Sequence, residues 1–238
     1  MTTWSAGEPG RSYRRVGSAA PSNGSGDPRL RERRQAIDIL GDAVRRLVEN
    51  AASTEVATAE LLRVADSVNA AADELGLTRR RRQDLPTADD LLGGIRMFNP
   101  VTGTGNGLAP PLRIDLDEAT VVATGTCTLG LAYEGPPSYA HGGVSALLLD
   151  QILGYATSAA GHPGLTVNLV LDYLRPVPLQ TPLRLYAGVV AVEGRIVTAQ
   201  GSIVTEAEPD VVLVEATGTF KELNADQAAR LFTSLRPE

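Results

Sequence analysis

From Leu112 onward the chain is written in short runs rich in β-branched residues, separated by turn signals, a pattern that predicts strands. Arg113–Asp117 and Thr120–Leu131 are expected to be successive strands around an Asp117-Glu118-Ala119 turn. Leu165–Leu174, Pro182–Val192, Arg195–Thr205 and Val211–Lys221 follow as four more, expected as an antiparallel meander, with Gly194 making a tight hairpin turn. Between the two groups stands one long helix beginning near His141. It is apolar on most of its surface through Val144, Ala146, Leu147, Leu148, Leu149, Ile152 and Leu153, so it needs cover nearly all round. A curved antiparallel sheet wrapped about it would supply that cover. Residues 222–234 can form a short terminal helix.

The N-terminal part reads differently. Ile37, Leu40, Val44 and Leu47 recur at helical spacing between Leu30 and Asn50. A second helix, capped by Ser53 or Thr54, carries Val56, Leu61, Val64, Val68 and Leu75 and ends at Gly76, so a helical hairpin is expected. Arg79–Arg82 and Pro86 then mark a linker, with docking of an acidic partner as its sharper reading. Residues 1–28, rich in Gly, Ser, Pro and Arg without apolar periodicity, are expected to be a disordered tail. The division is therefore a tail over 1–28, a helical hairpin and linker over 29–94, and a β-rich domain over 95–238.

Composition narrows the function classes. Aromatic residues make up 4% of the 238, and the net charge is −6, so stacking platforms and a broad phosphate-binding face are both lacking. Nucleic acid is not an expected partner. The 15 arginines of residues 1–96 meet 14 acids there, whereas residues 97–238 hold 7 basic and 14 acidic groups. No apolar run approaches the roughly 20 residues that cross a bilayer, and no signal-peptide core stands at the N-terminus, so a cytoplasmic protein is expected. The single cysteine, Cys127, excludes an internal disulfide and a multi-cysteine metal site, and reads as a small buried filler. No metal is expected. The loop TGTGNG at 102–107 has its glycines at the wrong spacing for a dinucleotide motif, and Pro110-Pro111 stands where a helix would have to follow.

Candidate chemistry gathers in YEGPPSYAHGGVSALLLDQILGYA (133–156). His141 precedes Gly142 and Gly143 at a helix start, where bare N–H groups and the helix dipole favour developing negative charge. Asp150 sits inside the apolar run Ala146–Leu153, where a carboxylate needs a role or a partner. This is the outline of an acyl-transfer site. The nine residues from His141 to Asp150 advance about 13.5 Å along a helix and turn it about 180°, which argues against attack by Asp150 at the amides of its own helix. A two-fold dimer, with the acid donated across the interface, would unite them.

Several stretches together resemble the PaaI-like acyl-CoA thioesterases of the hotdog fold. They are NPVTG (99–103), APPLR (109–113), YEGPPSYAHGGVSALLLD (133–150), LTVNLVLDYLRPVP (165–178), GRIV (194–197) and EATGTF (215–220), so the likeness covers roughly Met97–Lys221. The resemblance implies an α+β hotdog architecture with an N-terminal helical extension, a hydrolase acting on acyl-CoA in fatty acid metabolism, and a homodimer or dimer of dimers. No cofactor is implied beyond the coenzyme A of the substrate. Asp150 would be the general base or nucleophile, its basicity helped by burial. The Gly143 amide would polarise the thioester carbonyl. His141 would line the site, and Thr166 would partner the carboxylate. Gly142, Asn99, Asn168 on the same strand face as Thr166, Tyr155 and Arg195 would contact substrate. A non-catalytic acyl-CoA-binding or regulatory module, and a thioesterase for carrier-bound acyl chains, are the alternatives; a hydratase on this fold is disfavoured because its Asp and His stand at a different spacing.

Overall fold

The computed structural model describes residues 14–16, 27–82, 84–90, 94–117 and 120–224. Its elements are β1 (Arg14–Val16), α1 (Pro28–Ser53), α2 (Thr58–Gly76), β2 (Arg113–Asp117), β3 (Val122–Thr128), a single 3-10 turn (Leu131–Tyr133), α3 (Gly142–Ala159), β4 (Gly164–Tyr173), β5 (Pro182–Glu193), β6 (Ile196–Thr205) and β7 (Val212–Glu222). All strand pairs are antiparallel, in the order β1-β2-β3-β5-β6-β7-β4. The apolar helix α3 packs against this sheet, which is the α+β hotdog arrangement.

The strands expected from alternation are all present, but their meander is not. β5, β6 and β7 follow one another, whereas β4 crosses to the far edge and pairs with β7, Leu165 opposite Lys221. The crossing follows from α3, which packs against β3, β4, β5, β6 and β7 and delivers the chain to the sheet's other border. The β5–β6 hairpin closes through Gly194 at φ 60°, the positive value demanded of the first residue in this kind of two-residue turn. Residues 14–16, inside the expected tail, pair with β2. The remainder of 1–26, residues 118–119 of the expected turn and residues 225–234 of the expected terminal helix lie outside the described residues.

The core forms where α3 meets the sheet. Leu148, Leu149, Ile152, Leu153 and Ala156 are fully buried against Leu185, Val197, Ile203, Val214 and Phe220. Cover is one-sided, however. Gly143 and Leu147 are exposed and Asp150 is half-buried, so a stripe of α3 at i, i+4 and i+7 stays open. β4 beside it is an edge strand with Leu165, Val167 and Val170 exposed, as is Leu174 just past its end. A long apolar edge of this kind is a template for pairing with another chain.

The N-terminal helices do not make the expected hairpin. α1 docks on the domain through Ile37, Gly41, Val44 and Arg45, while Leu40 and Leu47 of the expected apolar set remain exposed. Here the TGTGNG loop finds its explanation. A side chain at Gly105 would strike Ile37, one at Gly107 would strike Val44, and one at Gly41 would strike the Thr104 carbonyl. The glycines let helix and loop backbones approach. Arg45 then donates to the carbonyls of Thr104 at 2.7 Å and Asn106 at 3.0 Å, and Thr104 donates to Asp38. α2 buries none of its residues. It begins at Thr58 after Ala57, with no side-chain cap from Ser53 or Thr54; Ser53 instead bonds back to the Glu49 carbonyl at the end of α1.

Glu49 closes the contact. Its carboxylate accepts the N–H groups of Leu131 at 3.0 Å and Ala132 at 3.3 Å, capping the 3-10 turn in space that Gly130 leaves open. Glu49→Ala should cost about 1–3 kcal/mol, because two donors lose their acceptor. Calorimetry should then show a melting temperature lower by about 3–10 °C.

Candidate active site

Asp150 projects from the middle of α3 and Thr166 from the start of β4, and the Thr166 hydroxyl donates to Asp150 Oδ1 at 2.8 Å. The expected pairing of acid and threonine is therefore made within one subunit. Its geometry depends on a β-bulge. Thr166 pairs with Phe220 and Asn168 with Thr219, so Val167 is an extra residue and the alternation slips by one. Past the bulge Leu169 and Leu171 turn toward the core, while Asn168 and Val170 are exposed. Asn168 consequently does not share the Thr166 face, as strict alternation would have it. The residue that returns to α3 is Tyr173, whose hydroxyl donates to the Gly142 carbonyl at 3.0 Å.

The helix start is built by His141. It is the N-cap of α3, and its ring Nδ1 accepts the Gly143 N–H at 3.0 Å, while its carbonyl accepts the Val144 N–H at 2.9 Å. The His141 N–H in turn donates to the Tyr133 carbonyl at 2.9 Å, so the turn capped by Glu49 also holds the histidine backbone. With its N–H engaged by the ring, Gly143 is not open to a substrate in this arrangement. Gly142 supplies the first N–H of the helix, a position with no intrahelical acceptor.

Gly143, Leu147 and Asp150 share one stripe, so the half-turn offset holds for His141 but not for Gly143. Seven residues still separate Gly143 from Asp150 by about 10 Å along the axis, too far for one substrate carbonyl to touch both. Asn99 donates to Gln151 Oε1 at 3.1 Å, beside Asp150 in the chain, and its own oxygen accepts the N–H groups of Val101 and Thr102. It braces the loop against α3. Tyr155 is half-buried against the core, and Arg195 stands in the β5–β6 turn, its guanidinium donating to the Glu222 carbonyl. Sequence reading missed Tyr173 and Gln151. The YLRPVP motif drew attention to the segment, but only the bulge reveals which way Tyr173 faces.

Cys127 is half-buried and packs against the core, and its burial pushes the thiol up to about 12. A maleimide reagent at neutral pH should leave the folded chain unlabelled and react after unfolding; labelling of the native protein would contradict this.

Residues 138–212 match a family model described as the thioesterase superfamily. A solved structure described as a thioesterase superfamily protein is 36% identical, with a TM-score of 0.68, covering 78% of this chain and 90% of the other. The chain belongs to the thioesterase superfamily. That superfamily likeness extends beyond the domain from Met97 on, since 78% of the chain is more than residues 97–238 can supply. Acyl-coenzyme A thioesterase THEM4 from Xenopus laevis is 32% identical over 90 residues, 38% of this chain and 40% of the other. The rat protein of the same name is 30% identical over 98 residues, 41% of this chain and 42% of its own. This thioesterase-superfamily chain thus aligns with about two-fifths of the length of these curated relatives. Among the described residues there is no group of three or more His, Cys, Asp or Glu side chains able to hold a metal ion, and no helix long and apolar enough to cross a membrane.

Proposed function

We propose that this protein is an acyl-CoA thioesterase. Water adds to the thioester carbonyl, the C–S bond breaks, and the products are a carboxylic acid and coenzyme A thiol. The observation that carries this reading is the carboxylate of Asp150, half-buried on the open stripe of α3 and held through one oxygen by Thr166. A carboxylate fixed in that way can take a proton from water, or attack the carbonyl itself, with its second oxygen. Superfamily membership and the names of the THEM4 relatives support the substrate class.

The carbonyl oxygen would be held at the start of α3, where negative charge developing on it meets the helix N-terminus. Gly142 N–H takes this role while His141 holds Gly143 N–H. His141 lines the same place. The acid comes from a second copy, because the separation along α3 prevents one helix from supplying both parts. Two-fold pairing through the β4 edge and the open side of α3 would bury the exposed apolar residues and yield two equivalent sites, and dimers can pair further. Asn99 and Tyr155 are proposed at the site wall and Arg195 at the coenzyme A phosphates. No cofactor is needed beyond the coenzyme A of the substrate. The proposed setting is cytoplasmic fatty acid metabolism.

The test is free-thiol release from acyl-CoA substrates of graded chain length, run beside equilibrium binding. Hydrolysis supports the enzyme. Tight binding without hydrolysis would instead establish an acyl-CoA-binding module, and turnover confined to acyl-carrier protein would move the substrate class.

A further inference from the structure

The bulge at Val167 leaves β4 with two exposed polar residues on the side that reaches α3. Thr166 reaches Asp150, and Tyr173, at the other end of the strand, reaches the Gly142 carbonyl at 3.0 Å. The Tyr173 ring also lies over Gly142, where an added Cβ would meet its Cε1, Cζ and hydroxyl oxygen at 3.3–3.4 Å. The Gly142 carbonyl and the Gly143 N–H belong to one peptide unit. That unit accepts a hydrogen bond from Tyr173 at one end and donates to His141 Nδ1, at 3.0 Å, from the other. Donation into a carbonyl polarises its amide and strengthens the bond the N–H makes. An imidazole nitrogen that accepts is unprotonated, so the ring carries its proton on Nε2.

We propose that Tyr173 is a positioning residue for the reaction: acting through the Gly142–Gly143 peptide, it fixes the His141 ring in one orientation with an Nε2–H donor facing outward. That donor is suited to the thioester oxygen or to the departing sulfur, beside the Gly142 N–H. The proposal rests on the thioesterase reading for its chemistry, but its structural half does not. Because β4 also orders Asp150 through Thr166, a single strand governs both the acid and the amide loop.

The test uses the full-length chain labelled with 15N and the Tyr173→Phe variant, which keeps the ring and removes only the hydroxyl. The protein has two histidines, His141 and His162, so ring-nitrogen spectra hold two systems, and His141→Gln assigns them. At about pH 8, where free imidazole is neutral, wild type should show His141 as the Nε2–H tautomer. In Tyr173→Phe that tautomer should lose its dominance and the Gly143 amide proton should move upfield. Turnover of acyl-CoA should fall about two- to tenfold in kcat, the loss of one neutral hydrogen bond, with KM within about twofold and an unchanged melting temperature. In the His141→Gln background the same substitution should have no further effect on kcat. Unchanged Gly143 and His141 spectra, a change confined to KM, or losses that add in the double variant would each overturn the assignment. If wild type hydrolyses no acyl-CoA, the functional reading fails while the spectra still decide the positioning role.

Discussion

Asp150→Asn is expected to lower thiol release from acyl-CoA by about 10²–10⁴-fold, the usual contribution of a positioned base. The amide is isosteric and can still accept the Thr166 hydroxyl, so the helix and strand that now meet at 2.8 Å need not part. What disappears is the capacity to take a proton from water or to attack the carbonyl. Acyl-CoA affinity should stay within a few-fold and the melting temperature within about 2 °C, since the side chain is half-buried and its volume is retained. Steady-state kinetics with a thiol reagent, paired with calorimetry, separates the outcomes. Activity retained within tenfold in a folded variant would remove Asp150 from the chemistry.

The second large effect concerns subunit composition. Gly142→Pro removes one N–H at the first helical position, where proline's φ fits and the extended His141 backbone before it is compatible; its Cβ meets the Tyr173 ring at 3.3–3.4 Å, so that ring must give by a few tenths of an ångström. Homodimers of Gly142→Pro and of Asp150→Ala should each be nearly inactive. After subunit exchange of equal amounts, half the dimers are mixed, and each mixed dimer has one site with both an intact acid and an intact amide. Recovery to about a quarter of wild-type activity is therefore expected under random mixing. Native mass spectrometry reports whether mixed dimers formed. Their presence without recovered hydrolysis would sink the shared-site geometry, and a monomeric wild type would sink it outright.

The contrast between Asn168 and Tyr173 shows why part of the site was legible and part was not. Asp150 stood out because a carboxylate in an apolar helix violates the local pattern, and Thr166 through the resemblance of its strand to the PaaI-like thioesterases. Alternation then placed Asn168 beside Thr166, and that failed through one inserted residue, Val167, visible only in the pairing with β7. The same slip directed Tyr173 at Gly142. Gly143 looked like the open amide because glycines at a helix start usually are. The His141 ring, folded back as the N-cap, occupies that N–H.

The N-terminal helices show a similar limit. Their existence follows from apolar spacing and the end of α2 from Gly76, while α1 runs on to Ser53, past the end expected near Asn50. Which side of α1 docks was legible only in part: Ile37 and Val44 belong to the expected apolar set, but the rest of the contact is Gly41, Arg45 and Glu49 against glycine-rich backbone, and polar or missing side chains leave no hydrophobic trace.

By itself, then, the sequence determined the strands, the single buried helix, the acid and the glycine pair, because each is set by local periodicity or by a residue out of place in it. The tertiary structure decided the strand order, the side of α1 that docks, the amide left open and the residue facing it. Those depend on crossovers, a one-residue bulge and backbone contacts between distant segments, where no local pattern reaches.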